Sequence, residues 1–323
     1  MLNIRRVSHL CGILGVSRDE LEGVLQSPDS HYEDLVVWDP AKPNKTRNVV
    51  NVNGPMRLLQ SRLYKKLLLP KLSVSLSSHG GVHGRSIKSN AMPHLTSAFI
   101  YKADISGFFP SVHYKRIYAL FNKEFGCTPD VARICTRICS YRHHLALGLI
   151  TSPILANQIL LPVDARIQAV CKSADLTYTR FVDDLTISGK FDLQFKSGIN
   201  ASIVDILTGE GFSVNVEKNL FDPSITGVRL VRGHLDATTR YIAGLEEMLD
   251  DAGRLSRGEA PNGLYYTSTQ IRGRIQFVIW LNPGRRRQLM ARYNAIHWKA
   301  VAIGARRMGL VAAKKTLTPL GGP

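Results

Sequence analysis

Apolar positions change their period several times along the chain, and the changes mark its elements. Leu35–Trp38, Thr46–Val52, Ala98–Ala103, Leu176–Val182, Leu185–Ser188, Phe212–Val216 and Thr226–Val231 are short apolar or alternating runs that predict strands. The first two flank a turn, Asp39-Pro-Ala-Lys-Pro-Asn-Lys45. Met56–Leu69 carries apolar residues at 59, 63 and 67 with Arg and Lys between them, which is helical spacing; Pro55 starts it and Pro70 ends it. Tyr114–Phe125, Pro129–Tyr141, Pro153 to about Ala174, and Lys196–Glu210 are further predicted helices. Ser17-Arg-Asp-Glu20 is a capping box, so a short helix should run to about Gln26. His79–Asn90 is rich in Gly and Ser and reads as a loop. Beyond 231 the pattern is helical throughout, over about 240–256, 267–281 and 284–308. The chain is therefore α+β for two-thirds of its length, with a helical remainder and no internal repeat.

Charge separates these two parts further. The chain has 323 residues, an apolar content of 44%, too high for a disordered polymer, and a formal charge of +17. Glu259 is the last acidic residue; the 64 residues after it hold eight arginines and three lysines. A helical segment with no counter-charge points to a polyanion, and nucleic acid comes before an anionic membrane surface. Leu145–Val163 is uncharged for 19 residues, but Thr151-Ser-Pro153, Asn157, Gln158 and Pro162 interrupt it, so it reads as a loop entering a buried helix rather than a membrane span. Arg5-Arg6 and the glycine-broken stretch Leu10–Val16 make a poor signal peptide. The five cysteines are odd in number and include no CxxC pair; they read as buried thiols in a reducing, cytoplasmic setting with no membrane partner.

The sharpest chemical feature is Tyr178-Thr-Arg-Phe-Val-Asp-Asp-Leu-Thr-Ile187. It places two adjacent carboxylates at a tight hairpin between apolar strands. Neighbouring carboxylates repel each other unless a cation lies between them. Strand alternation would send Asp183 and Asp184 to opposite faces, one aimed at a shared site and one obliquely. Asp104 ends the strand Phe99–Ala103 and supplies a third carboxylate. Hard oxygen ligands of this kind suit Mg²⁺. Two such ions roughly 4 Å apart activate an attacking oxygen and stabilise a leaving pyrophosphate.

With those residues in view, the chain resembles the reverse transcriptases over about residues 34–231. Asp104 corresponds to the first palm motif and Phe181-Val-Asp-Asp184 to the second. Gly148 and Thr151-Ser-Pro-Ile-Leu-Ala-Asn157 resemble the family's QGxxTSPxxxN segment. Lys45-Thr-Arg47 resembles the fingertip strand, and Gly211-Phe-Ser-Val-Asn-Val-Glu-Lys218 the motif whose lysine lies near the leaving phosphates. Asn90-Ala-Met-Pro-His94 fits the NAxxH pattern of bacterial retron reverse transcriptases, and Ile225-Thr-Gly227 is similar to their VTG signature. Gly84-Arg-Ser-Ile87 and Arg272-Gly-Arg-Ile-Gln-Phe277 are also retron-like, which extends the resemblance over about residues 34–300. Two departures stand out: Phe181 replaces the usual Tyr, and Leu147 replaces the Gln that helps position the nucleotide.

The resemblance implies a right-hand polymerase fold of fingers, palm (antiparallel sheet plus helices) and helical thumb. It implies an N-terminal helical extension at 1–33, fingers at 34–97, palm at 98–231 with part of the fingers at 113–145, and thumb with a basic tail at 232–323. Asp104, Asp183 and Asp184 would be the catalytic acids holding two Mg²⁺. Lys45, Arg47, Gly148 and Lys218 would bind the nucleotide, with Phe109 as the steric gate against a ribose 2′-OH. Asn90, His94, Thr226 and Gly227 would recognise RNA, and Arg272, Arg274, Arg285, Arg286 and Arg287 would hold template–primer phosphates. The implied partners are dNTPs, a cognate structured non-coding RNA serving as template and 2′-OH primer, its branched msDNA product, and an effector protein in phage defence. Two other readings stay open: a group II intron-like or diversity-generating reverse transcriptase, and an RNA-binding scaffold with a vestigial site that restrains a toxic effector.

Overall fold

A computed structural model of the chain describes residues 2–38, 46–190, 197–217, 224–231, 233–314 and 316–319. Lys218 and the whole turn Asp39–Lys45, with Lys45, lie outside them. Among the described residues the strands form three antiparallel sheets. β1 (Tyr32–Trp38) and β2 (Arg47–Val52) make the first, with β10 (Thr316–Pro319) added on the free edge of β1. The central sheet has the order β4-β5-β3-β6, from β3 (Phe99–Ile105), β4 (Thr177–Phe181), β5 (Asp184–Gly189) and β6 (Val214–Glu217). The third joins β7 (Ser224–Ile225), β8 (Val228–Val231) and β9 (His234–Ala237).

The central sheet carries the larger core. Tyr101, Ala103 and Ile105 alternate along β3, and Tyr178, Leu185 and Ile187 join them from β4 and β5, all buried in one cluster. The helix Ser152–Ser173 contributes Leu155, Leu160, Val163 and Ile167 to the same cluster. Each such side chain stabilises the fold by about 1.5–3 kcal/mol through burial. The uncharged run from Leu145 to Val163 is thus core, and no helix among the described residues is long and apolar enough to cross a membrane. All five cysteines are buried free thiols, as their sequence context suggested.

A second cluster joins the β7–β9 sheet to the helices Thr239–Ser256, Ser268–Leu281, Arg286–Asn294 and Trp298–Arg307. This part is less purely helical than the sequence pattern predicts, because β9 and β10 belong to it. The expected helix 284–308 is also broken: Trp298 turns back, its Nε1 donating to the Tyr293 carbonyl at 3.0 Å, and His297 caps the new helix through Ala300 N–H. The loop 79–90 holds one unpredicted element, the start of a short helix, Ile87–Ala91, capped reciprocally by Ser86 and Ser89.

Gly148 has a packing reason to be glycine. It sits at φ 111, and a Cβ there would lie 2.1 Å from the Val50 carbonyl oxygen. Beside it Val50 N–H donates to the Leu147 carbonyl at 2.8 Å, so this loop lies flat against β2. Gly148→Ala should lower stability by about 2 kcal/mol or more, since it adds backbone strain to a clash with main chain. Urea denaturation checks this; an unchanged midpoint would show that β2 moves away at no cost.

Candidate active site: three carboxylates around one hairpin

Asp104 on β3 and Asp184 on β5 are direct cross-strand partners. Phe181 pairs with Asp184, so the β4–β5 loop is Val182-Asp183 rather than the aspartate pair. Only the first of these two residues has positive φ, with Val182 at 62. That is the II′ hairpin pattern, which favours glycine at this position. A β-branched residue there stores strain of about 1–3 kcal/mol. The turn also takes Asp183 out of strand alternation. Asp183 and Asp184 therefore do not point to opposite faces as expected: one oxygen from each of Asp104, Asp183 and Asp184 lies within 4.8 Å of the others. The Asp183 carbonyl accepts from Ile105 N–H at 3.1 Å, tying the loop to β3.

Electrostatics at this cluster is unfavourable by itself. Burial, then the neighbouring carboxylates of Asp183 and Asp104, push Asp184 up to about 6; Lys102 and Arg47 pull the other way. Asp183 is raised as well, by burial first and by Asp104, against the opposing pull of a backbone hydrogen bond and of Arg47 and Arg180. Three converging hard oxygen donors, two of them with pKa pushed up, fit a divalent cation of the Mg²⁺ class, whose charge offsets their repulsion.

Several predicted residues gather here. Arg47 is exposed at the start of β2, and its charge reaches both Asp183 and Asp184. Thr226 and Gly227 form the β7–β8 turn, with φ 50 and 80. They line a cavity of about 190 Å³ together with Lys102, Asp104, Asp184 and Thr186. Phe109 is half-buried, its ring centroid 5.7 Å from that of the fully buried Phe108. Gly148 stands against β2 as described.

Others are placed differently from the expectation. Asn90 and His94 are wholly buried, so neither side chain offers a surface to RNA. Asn90 Nδ2 donates to Thr226 Oγ1 at 2.9 Å, linking the NAxxH and VTG-like segments to each other. The His94 ring bridges Ser188 Oγ at 2.6 Å and Thr179 Oγ1 at 2.8 Å, and burial lowers it to about 4, so the ring is neutral. Arg285 is also committed: it pairs with the buried Asp236, Nη2 to Oδ2 at 2.8 Å. Arg274 lies over the Tyr266 ring, 5.2 Å from its centroid, while Arg272, Arg286 and Arg287 are exposed.

These placements divide the arginine run. Arg286→Ala with Arg287→Ala should weaken nucleic-acid binding and lower the slope of log affinity against log salt by up to about 2, one for each phosphate left without its arginine. Arg285→Ala should instead destabilise the fold by about 1–3 kcal/mol, because Asp236 loses its charged partner. Salt-titrated binding and thermal melting distinguish the two; equal effects on both would refute the division.

Lys102, Gly80 and Arg180 surround the same hairpin, and sequence reasoning does not single them out; Asn157, which ends the TSPxxxN-like segment, joins them with no role assigned to it in advance. Lys102 is accessible to period-two reasoning, since it lies two residues before Asp104 on one strand and shares its face. Gly80 and Arg180 act from beneath the hairpin and leave no such mark.

Comparison with known proteins fits this geometry. The model of the family reverse transcriptase (RNA-dependent DNA polymerase) matches residues 40–223, more than half the chain, and the chain belongs to that family. Within it, the chain is similar to retron reverse transcriptases. It is 31% identical over 205 residues to the Retron Ec86 reverse transcriptase of Escherichia coli, covering 63% of this chain and 62% of that protein. It is 31% identical over 286 residues to the Retron Mx65 reverse transcriptase of Myxococcus xanthus, covering 81% of this chain and 64% of that protein. The chain thus spans a little under two thirds of the length of these curated relatives.

Proposed function

We propose that the chain is an RNA-directed DNA polymerase of the retron type. The observation that carries this reading is the convergence of Asp104, Asp183 and Asp184 within 4.8 Å, in a chain whose family and curated relatives are reverse transcriptases. The three carboxylates hold two Mg²⁺. Bound there, the ions supply activation of the attacking hydroxyl and charge stabilisation for the departing pyrophosphate. Asp104 and Asp183 would be the main ligands of these ions and Asp184 a supporting one. Arg47 meets the incoming triphosphate, with Lys45 as helper, and Lys218 is assigned to neutralising the pyrophosphate leaving group. The Phe109 ring excludes a 2′-OH and so selects deoxynucleotides.

In this reading residues 34–97 are fingers, 98–231 palm with finger segments at 113–145, and 232–323 thumb and tail, preceded by the N-terminal helical extension. The exposed Arg272, Arg286 and Arg287 grip template–primer phosphates. The template is a cognate structured non-coding RNA, recognised by shape, unpaired bases and 2′-OH groups. One of its 2′-hydroxyls is the primer, which yields branched RNA-linked msDNA. The complex works in the cytoplasm beside an effector protein in phage defence.

Co-purification with the native RNA, followed by dNTPs and Mg²⁺, should give RNase-resistant DNA joined to RNA. RNA retained without any DNA made would sink the polymerase reading and leave a binding scaffold.

A further inference from the structure

Beneath the catalytic hairpin lies a buried charge that the proposed chemistry does not use. Arg180 and Asp164 are each 1% exposed. Their contact is bidentate, Arg180 Nε to Asp164 Oδ1 at 2.8 Å and Nη2 to Oδ2 at 2.7 Å. Tyr178 adds its hydroxyl to Asp164 Oδ1 at 2.8 Å. The remaining arm of the guanidinium faces the turn. Nη1 donates to the Val182 carbonyl at 2.6 Å and to Asn157 Oδ1 at 3.1 Å.

The turn is held from a second side as well. Ser77 carbonyl accepts Arg180 N–H at 2.7 Å, and His79 N–H donates to the Arg180 carbonyl at 2.7 Å. Asn157 Nδ2 donates to the Gly80 carbonyl at 3.0 Å. Gly80 packs so closely that a Cβ on it would lie 2.4 Å from Val182 N. Two of these contacts, the Arg180 Nη1 bond and the close packing of Gly80, fall on Val182, the strained residue that immediately precedes Asp183.

Two physical arguments connect this network to the carboxylates. A left-handed valine persists only where its surroundings over-determine it. If Val182 relaxed, the peptide leading into Asp183 would rotate and carry the carboxylate away from Asp104 and Asp184. A buried ion pair is also a poor way to gain stability, since apolar side chains of similar volume often do as well. Arg180 provides what they cannot: a donor anchored at two points and aimed at a turn carbonyl.

We infer that Arg180 is a positioning residue for Asp183: fixed by Asp164, it holds Val182 left-handed through the Val182 carbonyl and so keeps the metal-binding carboxylates together. The inference rests on the polymerase reading of this site and goes beyond it in assigning the support of the hairpin.

The test combines Arg180→Lys, which leaves Asp164 a cation but cannot span both contacts, with Val182→Gly, which holds positive φ without help. Mn²⁺ binding by electron paramagnetic resonance needs no turnover and reports the carboxylate geometry. RNA-templated incorporation gives kcat and the KM for dNTP, and melting confirms the fold. Arg180→Lys should bind Mn²⁺ about tenfold more weakly, as supporting residues around metal ligands do, and kcat should fall by about as much with KM little changed. Adding Val182→Gly should recover much of both losses. Wild-type Mn²⁺ affinity in folded Arg180→Lys, or a loss that Val182→Gly leaves untouched, overturns the inference. If Arg180→Lys does not fold, Arg180→Met with Asp164→Leu leaves neither charge unpaired and is judged by the same measurements. A wild-type chain that binds Mn²⁺ yet makes no DNA would defeat the polymerase reading alone, and the Mn²⁺ comparison would still decide the role of Arg180.

Discussion

Asp183→Asn combined with Asp184→Asn is expected to abolish DNA synthesis, by about 10³-fold or more, while RNA binding stays near wild type. The loss follows from removing two of three converging carboxylates, and with them the charge that retains the metal. The same substitution should make the metal-free protein more stable at pH 7–8. Asp184 titrates at about 6 in the folded chain and Asp183 is raised too, above the ordinary 3.8. The folded state therefore binds more protons than the unfolded one across that interval. The contribution of these two acids to stability is highest below pH 4 and falls as pH rises towards 6, beyond which the cost is constant. Asparagines carry no such cost. Asp184 is open to solvent on one side, so after screening the gain is about 1 kcal/mol. Melting curves with and without Mg²⁺ at pH 7.5 and pH 4 check the whole argument. Wild type should be stabilised by Mg²⁺ at the higher pH and the variant should not. DNA made by the variant, or equal stabilisation of both proteins by Mg²⁺, would refute the assignment.

Those three acids were legible in the sequence because carboxylates flanked by apolar strands violate ordinary patterning. The strands around them and the helix Ser152–Ser173 were legible for a related reason: they are periodic and bounded by turn residues. The turn itself was not. Its loop is Val182-Asp183, and no local rule places a β-branched residue at positive φ; tertiary contacts from Arg180 and Gly80 impose it. β10 was missed because its pairing partner, β1, lies almost the whole chain away. The arginine run looked uniform, yet Arg285 is distinguished by Asp236, 49 positions earlier. The NAxxH motif shows the same limit. Sequence marks Asn90 and His94 as special, but polarity alone cannot tell a residue that faces RNA from one that ties strands together.

His94 supplies the second large expectation, a fold that weakens in mild acid. Its ring joins Thr179 on β4 to Ser188 on β5, the two strands whose connecting turn carries Asp183. Burial, with a smaller contribution from His79, lowers its titration from 6.5 to about 4. The unfolded chain thus takes up a proton near pH 6.5 that the folded chain resists until about 4. Stability is fully present above 6.5 and is lost as pH falls towards 4, by roughly 3 kcal/mol at about 1.4 kcal/mol per pH unit. Half-buried His79, also lowered to about 4, acts in the same direction with a smaller weight. The raised carboxylates of Asp183 and Asp184 oppose both across much of this window, so the net curve understates the histidine effect. The difference between wild type and His94→Gln removes that cancellation, since glutamine keeps a donor and an acceptor but does not titrate. Urea unfolding at pH 7.5 and pH 4.5 should show His94→Gln losing less stability on acidification by about 2–3 kcal/mol. Identical pH dependence in the two proteins would mean that His94 protonates freely in the folded state, and would remove the burial argument. If the difference appears, the strands carrying the catalytic hairpin are the ones that protonation of His94 loosens, as pH approaches 4.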